Sequence, residues 1–272
     1  MKFVNASNFG DCIYSLPFCL TVAGSKNISK FDIVLIINYP AYYNKSLMYE
    51  NSTHPCGNVT MTKELADMLI PLLKAQPYID NVFVHDYAKD GAYTEDGIRL
   101  EAFRTFGLNL GAGSITKWYE DLFPTKEIID DFNKWLYVYP DDKIKKSFSD
   151  KICVVRSQRY WLPLDISILE PYANDIVFIG TDNEYESFKD KLKVDVPHVF
   201  INNFLEAAQV FKSCKLCIGN QTGLFSVMEG LKVPRLLEVC RLCPNVIPNG
   251  NGGHAVYSNI YFEKILETYL TF

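Results

Sequence analysis

Short runs rich in β-branched and aromatic residues alternate with segments of helical periodicity along this chain, in two separate series. Parallel strands can be joined only by crossovers of a dozen or more residues, so this alternation predicts an α/β protein with parallel sheets. The first series has strands at Phe3-Val4, Asp32 to Asn38 and Asn81 to His85. Between them a helix is predicted over about Thr62 to Gln76, where Leu65, Met68, Leu69, Leu72 and Leu73 keep helical spacing up to Pro77. The second series has strands at Lys151 to Val155, Asp175 to Ile179, Val199 to Ile201, Leu216 to Ile218 and Arg235 to Val239. Helices at 183 to 192, 205 to 213 and 223 to 232 separate them, which makes a five-stranded Rossmann-like unit.

Between the series, the Pro-led polar stretch from Pro140 to Ser147 reads as a linker and places the boundary near 141 to 150. Residues 98 to 136 are helical in parts, with Leu100, Phe103, Phe106, Trp118, Leu122 and Phe123, but the Gly107 to Gly113 loop interrupts them. A last helix from Asn259 to Leu270 carries Ile260, Phe262, Ile265, Leu266 and Leu270 as its apolar residues.

Charge narrows the function. With 32 acidic against 27 basic residues the chain carries −5, which opposes binding a phosphate backbone, so nucleic acid is not an expected partner. Apolar runs such as Ile33 to Ile37 are far shorter than the roughly 20 residues that span a bilayer, leaving at most peripheral membrane contact. The apolar stretch Ile13 to Gly24 is preceded by Asp11 and a single cation, Lys2, against the positive start of an export signal. The sequons at Asn5, Asn27, Asn44, Asn51, Asn58 and Asn220 therefore carry little weight, and 8 scattered cysteines fit a reducing, cytoplasmic setting.

Several strands end in residues suited to a ligand. Asn220-Gln221-Thr222-Gly223 lies between a strand and a helix, where helix N-terminal amides favour a phosphate or carboxylate; an ordinary turn with Thr222 as N-cap is the alternative. After the strand ending at Val155, Arg156-Ser157-Gln158-Arg159 brings two guanidinium groups, phosphate ligands or simply solvated cations. Gly180-Thr181-Asp182 follows a third strand. In the first unit Asn8-Phe9-Gly10-Asp11 follows the opening strand, with Gly10 free for a tight turn and Asp11 either a general base or, more simply, a helix N-cap.

Metal chemistry finds little support. Cys214-x-x-Cys217 and Cys240-x-x-Cys243 have zinc-ribbon spacing, but parallel neighbouring strands would put Cys214 and Cys240 at opposite ends. The histidines at 54, 85, 198 and 254 form no ligand or triad spacing, although His254 follows the Gly-rich stretch from Asn249 and could close a loop over a cleft. No Asp-x-Asp clamp for a divalent ion occurs, so neither metal nor cofactor is expected.

Assembled, these residues resemble the ADP-heptose:lipopolysaccharide heptosyltransferase family. Phe9-Gly-Asp-Cys-Ile-Tyr-Ser-Leu-Pro17 is similar to that family's opening turn and helix, and Gln76 to Val84 to its helix-to-strand passage. Leu205 to Gln209, Cys217 to Gly223 and Gly230 to Pro234 match its most recognisable segment. The resemblance implies the GT-B arrangement, two Rossmann-like domains facing across a cleft. The first would take residues 1–146 and be rejoined by the C-terminal helix 257–272, and the second, binding the nucleotide sugar, would take 147–256.

It further implies an inverting, metal-independent glycosyltransferase that moves a sugar from a nucleotide-diphosphate sugar to a glycan or lipopolysaccharide-type acceptor at the cytoplasmic side. Asp11 would be the catalytic base, with Asn8 and Gly10 on the acceptor side. Arg156, Ser157, Arg159, Asn220, Gln221, Thr222 and Gly223 would surround the donor diphosphate, and Thr181, Asp182 and Glu238 the nucleoside. Where the family commonly has Asp-Thr-Gly and then His, this chain has Gln221-Thr222-Gly223 and Ser226, so the donor need not be ADP-heptose. A non-catalytic nucleotide-sugar-binding protein and a sugar-nucleotide epimerase are the alternatives; Asp11 favours transfer.

Overall fold

The computed structural model describes residues 1–41, 56–105, 107–111, 113–122 and 126–270. His54, Phe106, Phe123 and the sequons at Asn44 and Asn51 lie outside the described residues.

The first sheet contains β1 (Lys2–Asn5), β2 (Phe31–Ile37), β3 (Ile79–Asp86) and β4 (Ile98–Arg99), all parallel, in the order β3-β2-β1-β4. Nearly all of β2 is buried, which is why it reads as an unbroken apolar run rather than an alternating one. The connections are α1 (Phe9–Ser25), α2 (Lys63–Lys74) and the single turns α3 (Tyr87–Asp90) and α4 (Ile115–Trp118). At the start of α2 the Thr62 hydroxyl accepts from the Leu65 amide. After α5 (Asp142–Phe148) comes the second sheet, with β5 (Ile152–Val155), β6 (Ile176–Phe178), β7 (Leu216–Asn220), β8 (Arg235–Glu238) and β9 (Gly253–Val256) in the order β6-β5-β7-β8-β9. Its helices are α6 (Asp182–Leu192), α7 (Phe204–Ser213), α8 (Gly223–Leu231) and α9 (Asn259–Leu270).

Several expectations change. Val199 to Ile201 is not a strand: one parallel bridge, His198 to Phe178, stands in its place. Pro197 offers no N–H to extend that bridge and Asn203 already caps α7. With the bridge in the third place, the sheet keeps the Rossmann order. The fifth full strand is β9, which takes His254 out of the Gly-rich loop and into an edge strand, with its ring nitrogens near the Tyr261 and Tyr269 hydroxyls. Part of the expected linker is α5, capped by Asp141, whose Ile144 and Phe148 pack on the core beside α7. The stretch after residue 98 is helical in parts, as expected, in short turns on either side of the Gly-containing loop, and it adds the short strand β4.

One apolar core joins the two units. Phe3, Leu16 and Leu69 belong to the same cluster as Cys153, Phe211 and Val227, because α1 packs on α8 and α2 on α7. The molecule is layered as sheet, two helix layers and sheet. The far face of the second sheet is covered by α6, the 166–175 segment and α9. Helix α9 was expected to return to the first unit; instead Phe262 and Leu266 pack beside Ile152, Leu236 and Val256. Only Tyr257 and Ser258 separate β9 from α9, so the nearest open apolar face is the one on its own sheet.

Candidate active site

Strand β1 ends at Asn5, and the turn through Ser7 delivers Asn8 to the N-cap of α1. Asn8 is in the extended region, but its side chain does not cap an α1 amide. It hydrogen-bonds instead to Asp11, the third residue of the helix, so Asp11 is not the N-cap. The Arg104 guanidinium donates to Asp11 Oδ2 at 2.7 Å, and the Tyr119 hydroxyl donates to the Asp11 backbone oxygen at 3.0 Å. The Asp11 side chain is 15% exposed. Burial pushes its pKa above the ordinary aspartate value; the Arg104 charge and hydrogen bond, the Arg159 charge and the Asn8 hydrogen bond oppose that shift.

The same place receives the start of α8. The Thr222 hydroxyl accepts from the Phe225 amide as its N-cap, and Gly223 opens the helix against the ring of Phe9. Phe9 stacks in turn on Phe204 of α7, with centroids 4.3 Å apart and planes at 12°. Gly10, expected in a tight turn, is helical and stands where α1 comes close to Gly223. Two helix N-termini therefore converge, one from each unit, at the carboxyl ends of both sheets. The first amides of a helix lack intrahelical partners, and together with the partial positive charge of the helix end they favour an anion there.

Across the junction the loop after β5 is held by the fully buried Asn220. Its Oδ1 accepts from the Ser157 amide at 3.0 Å, and its Nδ2 donates to the Ser157 and Arg159 carbonyls at 2.9 and 2.6 Å. Asn220 thus shapes the loop instead of facing a ligand. The loop turns through Tyr160 at φ 52°, a left-handed conformation uncommon for a tyrosine, and there Arg159 donates to the Tyr160 hydroxyl at 2.7 Å.

Arg156 has another role than expected. It makes a buried bidentate pair with Glu238, Nε and Nη2 at 2.6 and 2.8 Å, and the same carboxylate accepts from the Leu162 amide at 2.6 Å. The two residues expected on phosphate and nucleoside hold one another across the strand ends. Gln221 is likewise committed: its amide donates to the Cys243 carbonyl and to Asn245, and its oxygen accepts from the Cys240 amide. Thr181 caps α6 in a reciprocal box with Glu184, and Asp182 is 84% exposed beside it, its oxygen 3.7 Å from His198 Nδ1.

The structure therefore brings Asn8, Gly10, Asp11, Arg159, Thr222 and Gly223 to one junction, and uses Asn220, Gln221, Arg156 and Glu238 to build its walls. Arg104 and Tyr119 were missed, because the short turns between 98 and 122 carry no periodicity to place them. Among the described residues no cluster of three or more His, Cys, Asp or Glu is placed to hold a metal ion, and no helix is long and apolar enough to cross a membrane.

No family model and no curated protein sequence matches the chain. Solved structures do. The chain is similar to E. coli ADP-heptose lipopolysaccharide heptosyltransferase II, with a TM-score of 0.59 and 13% identity over 99% of this chain and 98% of that one. A family 9 glycosyl transferase from Veillonella parvula gives 0.57 and 13% over 98% and 88%. E. coli heptosyltransferase WaaC with ADP gives 0.57 and 11% over 98% and 99%. The chain thus has the GT-B fold of these glycosyltransferases, two parallel-sheet units meeting at their helices with the strand ends opening on one junction.

Proposed function

We propose that the protein is a glycosyltransferase that uses a nucleotide-diphosphate sugar as donor and Asp11 as general base. The observation that carries this is the position of the Asp11 carboxylate, at the junction of the α1 and α8 N-termini and within electrostatic reach of Arg159. In the reaction, Asp11 takes the proton of an acceptor hydroxyl held on the Asn8 and Gly10 side. The oxygen attacks the anomeric carbon from the face opposite the diphosphate, which inverts that centre. As the carbon–oxygen bond to the diphosphate breaks, the leaving group departs with the electron pair, and its growing charge meets the α8 amides at Thr222 and Gly223 and the Arg159 guanidinium. These fixed positive groups supply what a divalent ion supplies in other transferases, so the reaction is proposed to run without metal.

Arg156 and Glu238 act behind this surface by fixing the loop that carries Ser157 and Arg159. The solved relatives with ADP, or named for ADP-heptose, support a nucleotide-sugar donor. A glycan or lipopolysaccharide-type acceptor follows from the same likeness. A binding protein without turnover is the reading favoured by Gln221, whose amide is engaged with the Cys240 and Cys243 backbone and the Asn245 side chain.

Titration calorimetry against ADP-, GDP- and UDP-sugars, followed by product analysis with candidate glycan acceptors, tests the proposal. Binding with transfer supports it. Binding without transfer or hydrolysis selects the non-catalytic reading, and no binding by any donor removes both.

A further inference from the structure

The two side chains that hold Asp11 come from the ends of one stretch of the first unit, Arg104 on the carboxylate and Tyr119 on the backbone oxygen. Those ends are packed together, the Phe103 ring edge-on to Tyr119 with centroids 5.1 Å apart, so they form one strap over the start of α1. The strap is gripped between its ends by Asn245 of the second unit. Asn245 Nδ2 donates to the Leu110 carbonyl at 2.9 Å, and its backbone oxygen accepts from the amide of Ile115, the first residue of α4, at 3.0 Å. Its Oδ1 accepts from Gln221 Nε2 at 2.8 Å, and Gln221 directly precedes Thr222, the N-cap of α8. One side chain thus links the turn that opens α8 to the strap that holds Asp11.

Backbone groups fix the direction of this chain of hydrogen bonds at both ends. The Cys240 amide can only donate, so Gln221 turns its oxygen to it, at 2.9 Å, and its nitrogen to the Cys243 carbonyl and Asn245, both at 2.8 Å. Asn245 must then present its oxygen to Gln221 and its nitrogen to Leu110, whose carbonyl can only accept. A carboxylate at position 221 or 245 accepts only, and would leave a link of the chain without a proton. Two side-chain amides in succession are what a directed connection from a backbone donor in one unit to a backbone acceptor in the other requires.

We propose that Asn245 is a positioning residue for the transfer reaction: it fixes the strap bearing Arg104 and Tyr119, and through them the Asp11 carboxylate, relative to the α8 N-terminus that receives the diphosphate. The proposal rests on the transferase reading for its place in the reaction. Asn245 acts through Arg104 and Tyr119, since its own side-chain bonds go to Gln221 and Leu110. Asn245→Leu keeps the bulk of the side chain without its bonds, and Asn245→Ala removes both. In either variant the backbone at 245 still holds Ile115, and Thr116 and Lys117 still reach Asp131, so the protein should fold with the strap loosened rather than lost.

The test is a donor-free pH titration of the full chain, isotope-labelled at the aspartate carboxyl carbons and followed by NMR, with the Asp11 signal identified by its loss in Asp11→Asn. The charges near Asp11 are Arg104 and Arg159, while Cys12, Tyr14, Tyr119 and Tyr160 are all pushed up by burial and stay neutral in acid. Asn245→Leu and Asn245→Ala should each move the Asp11 transition to higher pH, in the direction of Arg104→Gln, because the loosened strap carries the Arg104 charge away. Added to Arg104→Gln, Asn245→Leu should cause no further shift. A transition that stays in place in either variant, or an equal shift with Arg104 already replaced, overturns the proposal. In a transfer assay, Asn245→Leu should lower kcat by about tenfold or more through misplacement of the base. The donor KM should change little, since Gln221 keeps its bonds to Cys240 and Cys243 beside Thr222. A raised KM with kcat unchanged overturns the proposal as well. Failure of the transferase reading would show instead as a parent protein that binds no donor, which the titration does not use.

Discussion

Gly10 of α1 and Gly223 of α8 meet where the two units join: a Cβ placed on Gly10 would stand 3.2 Å from the Gly223 Cα, and one placed on Gly223 would fall 2.0 Å from the Phe9 ring. Neither glycine has a positive φ, so what each provides is space rather than conformational freedom. That contact brings both helix N-termini to the site, because a side chain at either position would push α1 and α8 apart.

Gly223→Ala is therefore expected to destabilise the protein by about 1 to 3 kcal/mol, the usual cost of forcing extra atoms into a packed contact. Phe9→Ala alone loses the stack on Phe204. The double variant should be less destabilised than the two single changes added together, with a coupling of roughly 0.5 kcal/mol or more. Denaturant unfolding of the four proteins measures this, and strict additivity would show that the Phe9 ring does not lie over Gly223.

Arg156 and Arg159 should behave differently although they are three residues apart. Removing one partner of a buried ion pair leaves the other charge uncompensated and costs about 3 to 5 kcal/mol, so Arg156→Met and Glu238→Gln should both unfold at markedly lower denaturant. Arg159→Met should keep most of the stability and weaken nucleoside-diphosphate binding, by about tenfold or more for the loss of a charge-assisted contact of roughly 1.5 to 3 kcal/mol. If Arg159→Met binds as well as the parent in calorimetry, the diphosphate is held elsewhere.

Periodicity located β1, β2, β3, β5, β6, β7, β8 and the helices α2, α6, α7, α8 and α9 to within a few residues, since most of these parallel strands are apolar runs and α2 keeps a strict helical stripe. It failed where packing decided the outcome. Strand β9 is four residues, begins with glycine and is only partly buried, so nothing in Gly253 to Val256 reads as a strand until β8 is there to pair with it. At the site, the sequence placed Asp11 and Gly223 at strand ends, which topology alone guarantees. It could not show that Arg156 would choose Glu238, 82 residues away, over a ligand. Nor could it join Arg104 to Asp11, because that pair depends on how the turns after β4 fold back over α1.

The Arg104 pair leads to a pH prediction. Arg104 lowers the Asp11 pKa against the rise caused by burial, so Arg104→Gln should raise it further. A general base works only when deprotonated. The acid limb of the rate profile should therefore lie above the ordinary aspartate value of about 3.9 in the parent, and move to still higher pH in the variant. A limb that stays in place would mean that Asp11 is not the group titrating in the profile.

Asp11→Asn separates chemistry from structure. Asn8 occupies the N-cap, so neither Asn nor Ala at position 11 removes a cap, and both variants should fold. Without a base the transfer rate should fall by about 10²-fold or more, the scale of positioned proton transfer. Stability should move the other way. Because burial raises the folded-state pKa of Asp11 above its unfolded value, its protonated form favours the folded state. That contribution is complete below the unfolded value and is lost as pH rises through the folded one. The parent should thus lose stability relative to Asp11→Asn over that interval and stay behind at neutral pH, while the two converge in acid. Melting curves from acid to neutral pH test this. If the parent gains on Asp11→Asn as pH rises, the Arg104 pair outweighs burial, and if the variant also keeps its transfer rate, Asp11 serves only to anchor Arg104 over α1.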